Sequence, residues 1–254
     1  RTEMRQSMRS FLAVCAVAAL AGCASDGGGG GLVADPYERT NREFHEFNKG
    51  WDLVLLRPAS QAYDAATPGL GKFLIGNFID HIRLPVVFAN NVLQGDFEAA
   101  GSTAARFVTN TVMGAGGLLD PATEFGLPYE PTDAGLTLAS YDVGEGAYIV
   151  LPFLGPSTAR DAVGRVFDFA IDPTNFLSVP GGAGTSAARI AVPVVDERAE
   201  NAPLIDDVLY GTEDSYVRLR SFYIQNRRRR AQGDEVAPDA LPDIFGDDAE
   251  EQTE

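Results

Sequence analysis

The side chains with nucleophilic, metal-binding or Schiff-base chemistry are few: Cys15, Cys23, His45, His81, Lys49 and Lys72. Neither histidine belongs to an H-E-x-x-H pair, so the ligand set of a zinc hydrolase is missing from the sequence. Two small-residue runs, "LGPST" at 154–158 and "GAGTSAA" at 182–188, lack the G-x-S-x-G spacing of a nucleophile elbow. The "PGLGKF" run around Lys72 has neither Walker A spacing nor its Ser/Thr, and "MGAGG" at 113–117 lacks the strand-then-helix setting of a dinucleotide loop. A Ser–Lys hydrolase would have to draw on Lys49 or Lys72. Carboxylate neighbours such as Asp206 and Asp207 read as exposed-face residues. These patterns predict neither an enzyme nor a bound metal or cofactor.

The chemistry that does stand out belongs to Cys23. Arg1, Arg5 and Arg9 against Glu3 give residues 1–22 a net charge of +2, and the uncharged run "FLAVCAVAAL" follows at 11–20. A bilayer-spanning helix needs about 20 apolar residues, so this run has the length of a secretory signal core instead. Leu20-Ala21-Gly22-Cys23 then resembles the lipobox of bacterial lipoproteins. Read that way, Cys23 becomes the first mature residue, carrying a thioether-linked diacylglycerol and an acylated amine, and Cys15 leaves with the signal. No disulfide framework or cysteine zinc site then remains. Three acyl chains exceed the two signals that stable anchoring requires, at about 0.8 kcal/mol per buried CH₂. The alternative is a plain cleaved signal with an incidental cysteine. Residues 24–34, "ASDGGGGGLVA", form a flexible tether of roughly 18 Å root-mean-square span. Ala24 stands where an Asp would suggest inner-membrane retention; by resemblance to lipoproteins, this favours the outer membrane.

The expected organisation is a signal over 1–22, a lipidated cysteine and tether over 23–34, one helical domain over 35–232 and an acidic tail over 233–254. The chain carries −16 in all, which leaves −18 once the first 22 residues are removed. Bulk attraction to nucleic acid or anionic headgroups is disfavoured. Nine acids and no base lie between Asp234 and Glu254, the pattern of a disordered tail. The preceding Arg227–Arg230 run reads as the solvated end of a helix, where cations suit the dipole, with contact to phosphate headgroups or an acidic partner as the functional alternative.

Between those ends the spacing is mainly α. Asp35, Pro36 and Glu38 suit N-cap, N1 and N3 of a first helix running to Arg57, before Pro58. Phe44, Phe47, Trp51, Val54 and Leu55 share one face of it. A second helix is expected from Leu70 to Arg83, broken by Pro85 and then resuming, with Phe73, Phe78 and later Phe88 among its apolar residues. Asp96 caps a third, ended by Gly114–Gly117. A short helix at 132–141, one strand at 147–151 and a helix at 158–170 follow. Residues 171–184 read as loop, 185–210 as helix interrupted by Pro193 and Pro203, and 214–230 as a last helix. No mature segment has the apolar length of a spanning helix. The Phe-rich faces either pack together as an ordinary core or lie in a leaflet as interfacial helices; spacing alone favours the core.

Several blocks, in order, resemble the MlaA (VacJ) family of outer-membrane lipoproteins: "DPYERTNREFHEFN" at 35–48, "RP" at 57–58, "NNVLQGD" at 90–96, "RFVTNTVMGAGGLLDPA" at 106–122, "LPFLGPSTARDAVG" at 151–164, "IDPTNF" at 171–176 and "EDSYVRLRSFYIQ" at 213–225. The resemblance implies a ring-like set of amphipathic helices embedded in the periplasmic leaflet of the outer membrane around a central channel. It implies removal of misplaced phospholipids from the outer leaflet, transfer to a soluble periplasmic carrier, association with a trimeric porin, and no nucleic-acid partner. A structural lipoprotein that scaffolds porins without moving lipid is the alternative. On this reading Phe44, Phe47, Trp51, Phe73, Phe78 and Phe88 become lipid-facing candidates, and Asn110, Thr111 and Met113 candidate lumen or hinge positions. Each of the last three could equally serve local capping and packing.

Overall fold

The computed structural model describes residues 33–67, 69–176 and 183–233, so the signal, Cys23, the tether and the acidic tail lie outside it. The described chain is mainly helical, with one two-stranded hairpin. Helix α1 (Glu38–Trp51) continues through a π turn (Asp52–Leu56) into α2 (Arg57–Ala66). Pro58 therefore does not end the helix as expected. It sits in the first turn of α2, where its missing N–H costs little, and in the π turn ahead of it Arg57 N donates to the Asp52 carbonyl. Asp35 does not cap α1 either. Its carboxylate accepts from Asn41 Nδ2 at 2.7 Å and from the Tyr216 hydroxyl, and lies 3.6 Å from Arg220. A long-range tie to the last helix has displaced the local cap.

Helix α3 (Leu70–Gln94) runs unbroken through Pro85, contrary to the expected interruption. Ile79, Leu84, Val87, Asn90 and Asn91 on both sides of the proline are buried, and this packing holds the helix together. Gly95 at φ +77° closes it. The Asp96 carboxylate then accepts from Ala99 N at 2.9 Å and starts α4 (Phe97–Val112) as expected. After α5 (Pro121–Glu124), Asp133 caps α6 (Ala134–Ser140). Strand β1 (Tyr148–Leu151) pairs antiparallel with β2 (Gly155–Thr158), Tyr148 opposite Thr158 and Leu151 opposite Gly155. The "GPST" of β2 reads as turn in sequence; β1 recruits it. Thr158 then caps α7 (Ala159–Ile171), and a 3₁₀ turn follows at Pro173–Phe176. Helix α8 (Ala183–Glu200) passes through Pro193, whereas Pro203 lies in the first turn of α9 (Ala202–Tyr210). Of the two expected interruptions, only the second is real. Asp214 caps α10 (Ser215–Ala231).

The interior is unusual in what fills it. Val33, Tyr148, Val150, Tyr216 and Ile224 form a small hydrophobic cluster under the hairpin. Elsewhere polar and charged side chains outnumber apolar ones among the buried residues. Of the phenylalanine side chains described, none is buried. Arginines act as buried hubs instead. Arg106 donates to Asp120 at 2.5 Å and to Thr123 at 2.9 Å. Arg227 donates to both Asp133 and Asp161. Arg228 reaches Glu145 at 3.1 Å and Arg230 the Pro131 carbonyl at 2.9 Å. The basic run is thus not a solvated helix end: its first member is buried and ties α10 to α6 and α7.

Candidate functional site

Helix α8 separates two openings of opposite character. On one side lies a groove of about 300 Å³ with Trp51, Leu56, Phe153, Val194, Leu204 and Phe222 among its walls. Two asparagines of α1 position its hairpin wall. Asn41 Nδ2 donates to the Tyr148 carbonyl at 3.0 Å and its Oδ1 accepts from Val150 N at 2.9 Å. Two turns on, Asn48 donates to the Leu151 carbonyl at 2.9 Å and accepts from Phe153 N at 2.7 Å. These side chains act as a third strand beside β1. They carry Phe153, at φ +65°, onto Phe47 and Trp51, with ring centroids 5.1 and 5.0 Å apart in edge contacts.

Below this apolar lining runs a buried ionic floor. Arg198 donates to Asp52 at 2.7 and 3.1 Å and to Asp206 at 2.5 Å. Arg57 donates to Asp206 at 2.7 Å, and the Tyr210 hydroxyl to Asp52 at 2.8 Å. Burial disfavours the Arg198 charge, yet the hydrogen bonds to Asp52 and Asp206 outweigh it and hold the guanidinium more firmly protonated. Burial and the bond to Asp52 push the Tyr210 hydroxyl up. This network locks α8 and α9 to the π turn.

On the other side of α8 lies a polar cavity of about 350 Å³, walled by Lys72, Asp80, Arg83, Asp196, Glu197 and Glu200. Glu197 lines both openings. Burial pushes the Asp80 carboxyl up to about 6, and burial followed by the Asp196 charge raises that of Glu200. The two openings, one apolar and one ionic, lie on opposite sides of one helix.

Phe44, Phe47 and Trp51 on α1 and Phe73, Phe78 and Phe88 on α3 are all exposed. Trp51 also lines the groove and Phe73 the polar cavity. Met113 and Thr111 are exposed, the latter donating to the Phe107 carbonyl at 2.7 Å and lying 3.3 Å from His81 Nε2. Asn110 is buried: its amide donates to Asp120 at 2.9 Å and accepts from Ala122 N at 3.1 Å, so it braces the Gly114–Gly117 turn. Sequence reasoning did not find Phe153, Asp80 or the Asp196–Glu200 set. The i, i+4 spacing of Asp196 and Glu200 was the available signal, masked by Pro193 breaking the expected helix.

A family model described as MlaA lipoprotein matches residues 33–230. Proteins of Escherichia coli (strain K12) and Shigella flexneri, each named intermembrane phospholipid transport system lipoprotein MlaA, are 31% identical over 227 residues, covering 88% of this chain and 88% of theirs. An uncharacterized protein of Rickettsia felis is 34% identical over 190 residues, 74% of each chain. A solved structure from work described as "Structural basis for maintenance of bacterial outer membrane lipid asymmetry" superposes with a TM-score of 0.68 at 31% identity, covering 78% of this chain and 99% of that one.

Proposed function

The chain belongs to the MlaA lipoprotein family, and on that premise we propose that it moves phospholipid passively from the outer leaflet of the outer membrane toward a soluble periplasmic lipid carrier, so maintaining lipid asymmetry. Cys23 anchors it, its helices ring a channel in the periplasmic leaflet, and a trimeric porin holds it in place. The observation that carries the reading is the inversion of the fold: phenylalanines outside, ionic hubs within. In water that exterior would be an aggregation surface; large exposed apolar areas mark contact with membrane or partner. Among the described residues no helix is long and apolar enough to cross a membrane, which suits helices lying in one leaflet.

The energetics define the task. A two-chain phospholipid has about 30 CH₂ groups, and exposing them to water would cost on the order of 25 kcal/mol. A carrier surface must cover tails while offering the headgroup a polar route, and the paired openings across α8 offer both. With no nucleotide motif in the sequence, net flow follows affinity downstream. The test is mass spectrometry of the purified lipoprotein together with outer-leaflet composition in a deletion strain. Co-purified phospholipid and surface-exposed phospholipid in the deletion are expected. Porin binding without bound lipid, and an unchanged outer leaflet, would replace transport with scaffolding. Cys23→Ser is expected to release the protein from the membrane fraction.

A further inference from the structure

The polar cavity between α3 and α8 is densely charged. Four carboxylates, Asp80, Asp196, Glu197 and Glu200, face two cations, Lys72 and Arg83. Lys72 is already engaged by Asp64. Asp80, Arg83 and Glu200 make no hydrogen bond or close ion pair among the described residues, although the Arg83 charge acts on Asp80. Asp196 is only 4% exposed. Its Oδ1 accepts from the Tyr63 hydroxyl at 2.5 Å, which leaves Oδ2 without a partner. Gly76 makes room opposite: a Cβ there would stand 3.9 Å from Asp196 Oδ2 and 3.8 Å from Glu200 Oε1. Asp196 is buried, Asp80 half-buried, and Glu197, Glu200 and Arg83 are exposed, and partial burial raises the Asp80 and Glu200 carboxyls.

The missing complement is cationic, and Arg83 adds an anionic requirement beside it. No three His, Cys, Asp or Glu side chains among the described residues converge tightly enough to hold a metal ion. That spread suits an elongated zwitterion better than a compact dication. The groove across α8, which shares Glu197 with this cavity, supplies an apolar surface next to it.

Building on the transport reading above, we propose that this cavity is a headgroup subsite selective for ammonium-bearing phospholipid, with Asp80, Asp196 and Glu200 facing the ammonium and Arg83 the phosphate. A headgroup carrying only hydroxyls beyond its phosphate gains nothing from the carboxylates and is repelled by them.

The full-length lipoprotein, equilibrated with mixed micelles of equal phosphatidylethanolamine and phosphatidylglycerol, is analysed for bound lipid by mass spectrometry. Enrichment of phosphatidylethanolamine by about fivefold is expected, the scale of one partly exposed charge pair. The Glu200→Gln/Asp80→Asn variant should bind the two lipids at the micelle ratio, and Glu200→Lys should tip toward phosphatidylglycerol. Binding by the wild type at the micelle ratio, or enrichment surviving in both variants, overturns the subsite while leaving transport intact. Enrichment abolished by EDTA assigns the selectivity to a bridging metal and overturns it too. Competition by free O-phosphoethanolamine distinguishes a soluble ligand from the lipid: displacement at lower concentration than the lipid itself overturns the lipid assignment. No bound lipid of either kind would defeat the transport reading itself.

Discussion

Arg227 grips Asp161 side-on, Nε donating to one carboxylate oxygen at 3.0 Å and Nη2 to the other at 2.8 Å. The same guanidinium takes Asp133 with Nη1 at 2.7 Å and Nη2 at 2.9 Å. Tyr223 adds its hydroxyl to Asp161 at 2.7 Å. One planar fork thereby clamps α10 to α6 and α7 through four hydrogen bonds. Arg227→Ala leaves the buried Asp161 and the partly exposed Asp133 carboxylates without their cation and should cost about 3 kcal/mol in denaturant unfolding. Arg227→Lys should recover only part, because an ammonium cannot address both carboxylates bidentately.

The clamp also sets the acid limit of the fold. Burial pushes the Asp133 and Asp161 carboxyls up, but hydrogen bonds and charge from Arg227 outweigh it and hold both below the ordinary value. A folded value below the unfolded one gives stability that is present above the unfolded pKa and lost as pH falls through the folded pKa. Melting temperature should therefore drop steeply below about pH 4. Asp161→Asn should start lower and lose less on acidification.

Asp80 behaves oppositely. Its carboxyl is pushed up to about 6 by burial, so its contribution favours folding at low pH and is lost as pH rises through that value. Asp80→Asn should raise the melting temperature of lipid-free protein at about pH 8 and leave it unchanged near pH 3, where both forms are neutral. A variant less stable at both pH values would contradict the assignment.

Gly164 marks a close approach of α7 to α6. A Cβ there would lie 2.4 Å from Gly135 N and 2.8 Å from its Cα. Gly164→Ala must push α7 off α6, strain the Arg227 clamp alongside, and cost about 1–3 kcal/mol. Gly101 in α4 is the control: open space surrounds it, and Gly101→Ala should stabilise by about 0.5–1 kcal/mol.

Phe47 and Phe153 touch each other while remaining 47% and 58% exposed. Serine at either position should change fold stability little. In a Cys23→Ser background, which removes the anchor, each substitution should weaken vesicle binding by about tenfold, measured by flotation. Unaltered flotation would show that the hairpin tip faces something other than lipid.

The sequence determined the local events. Asp96, Asp133, Thr158 and Asp214 stand at helix starts because a cap is decided by one side chain and a backbone amide three residues on. Mainly helical architecture followed from apolar spacing. The prolines at 58, 85 and 193 misled because a proline's cost of a few kcal/mol is local, whereas the packing that overrides it comes from residues distant in sequence. Tertiary structure alone turned Asp35 from a cap into a tie to Tyr216, drew Arg227 inside, and opened Asp80 and Glu200 onto one cavity. It also decided the direction of the aromatic faces. Helical spacing divides a helix into an apolar side and a polar side, but it is symmetric with respect to what lies beyond each; only the assembled helices, with arginines at their centre and phenylalanines at their rim, fix which side is out.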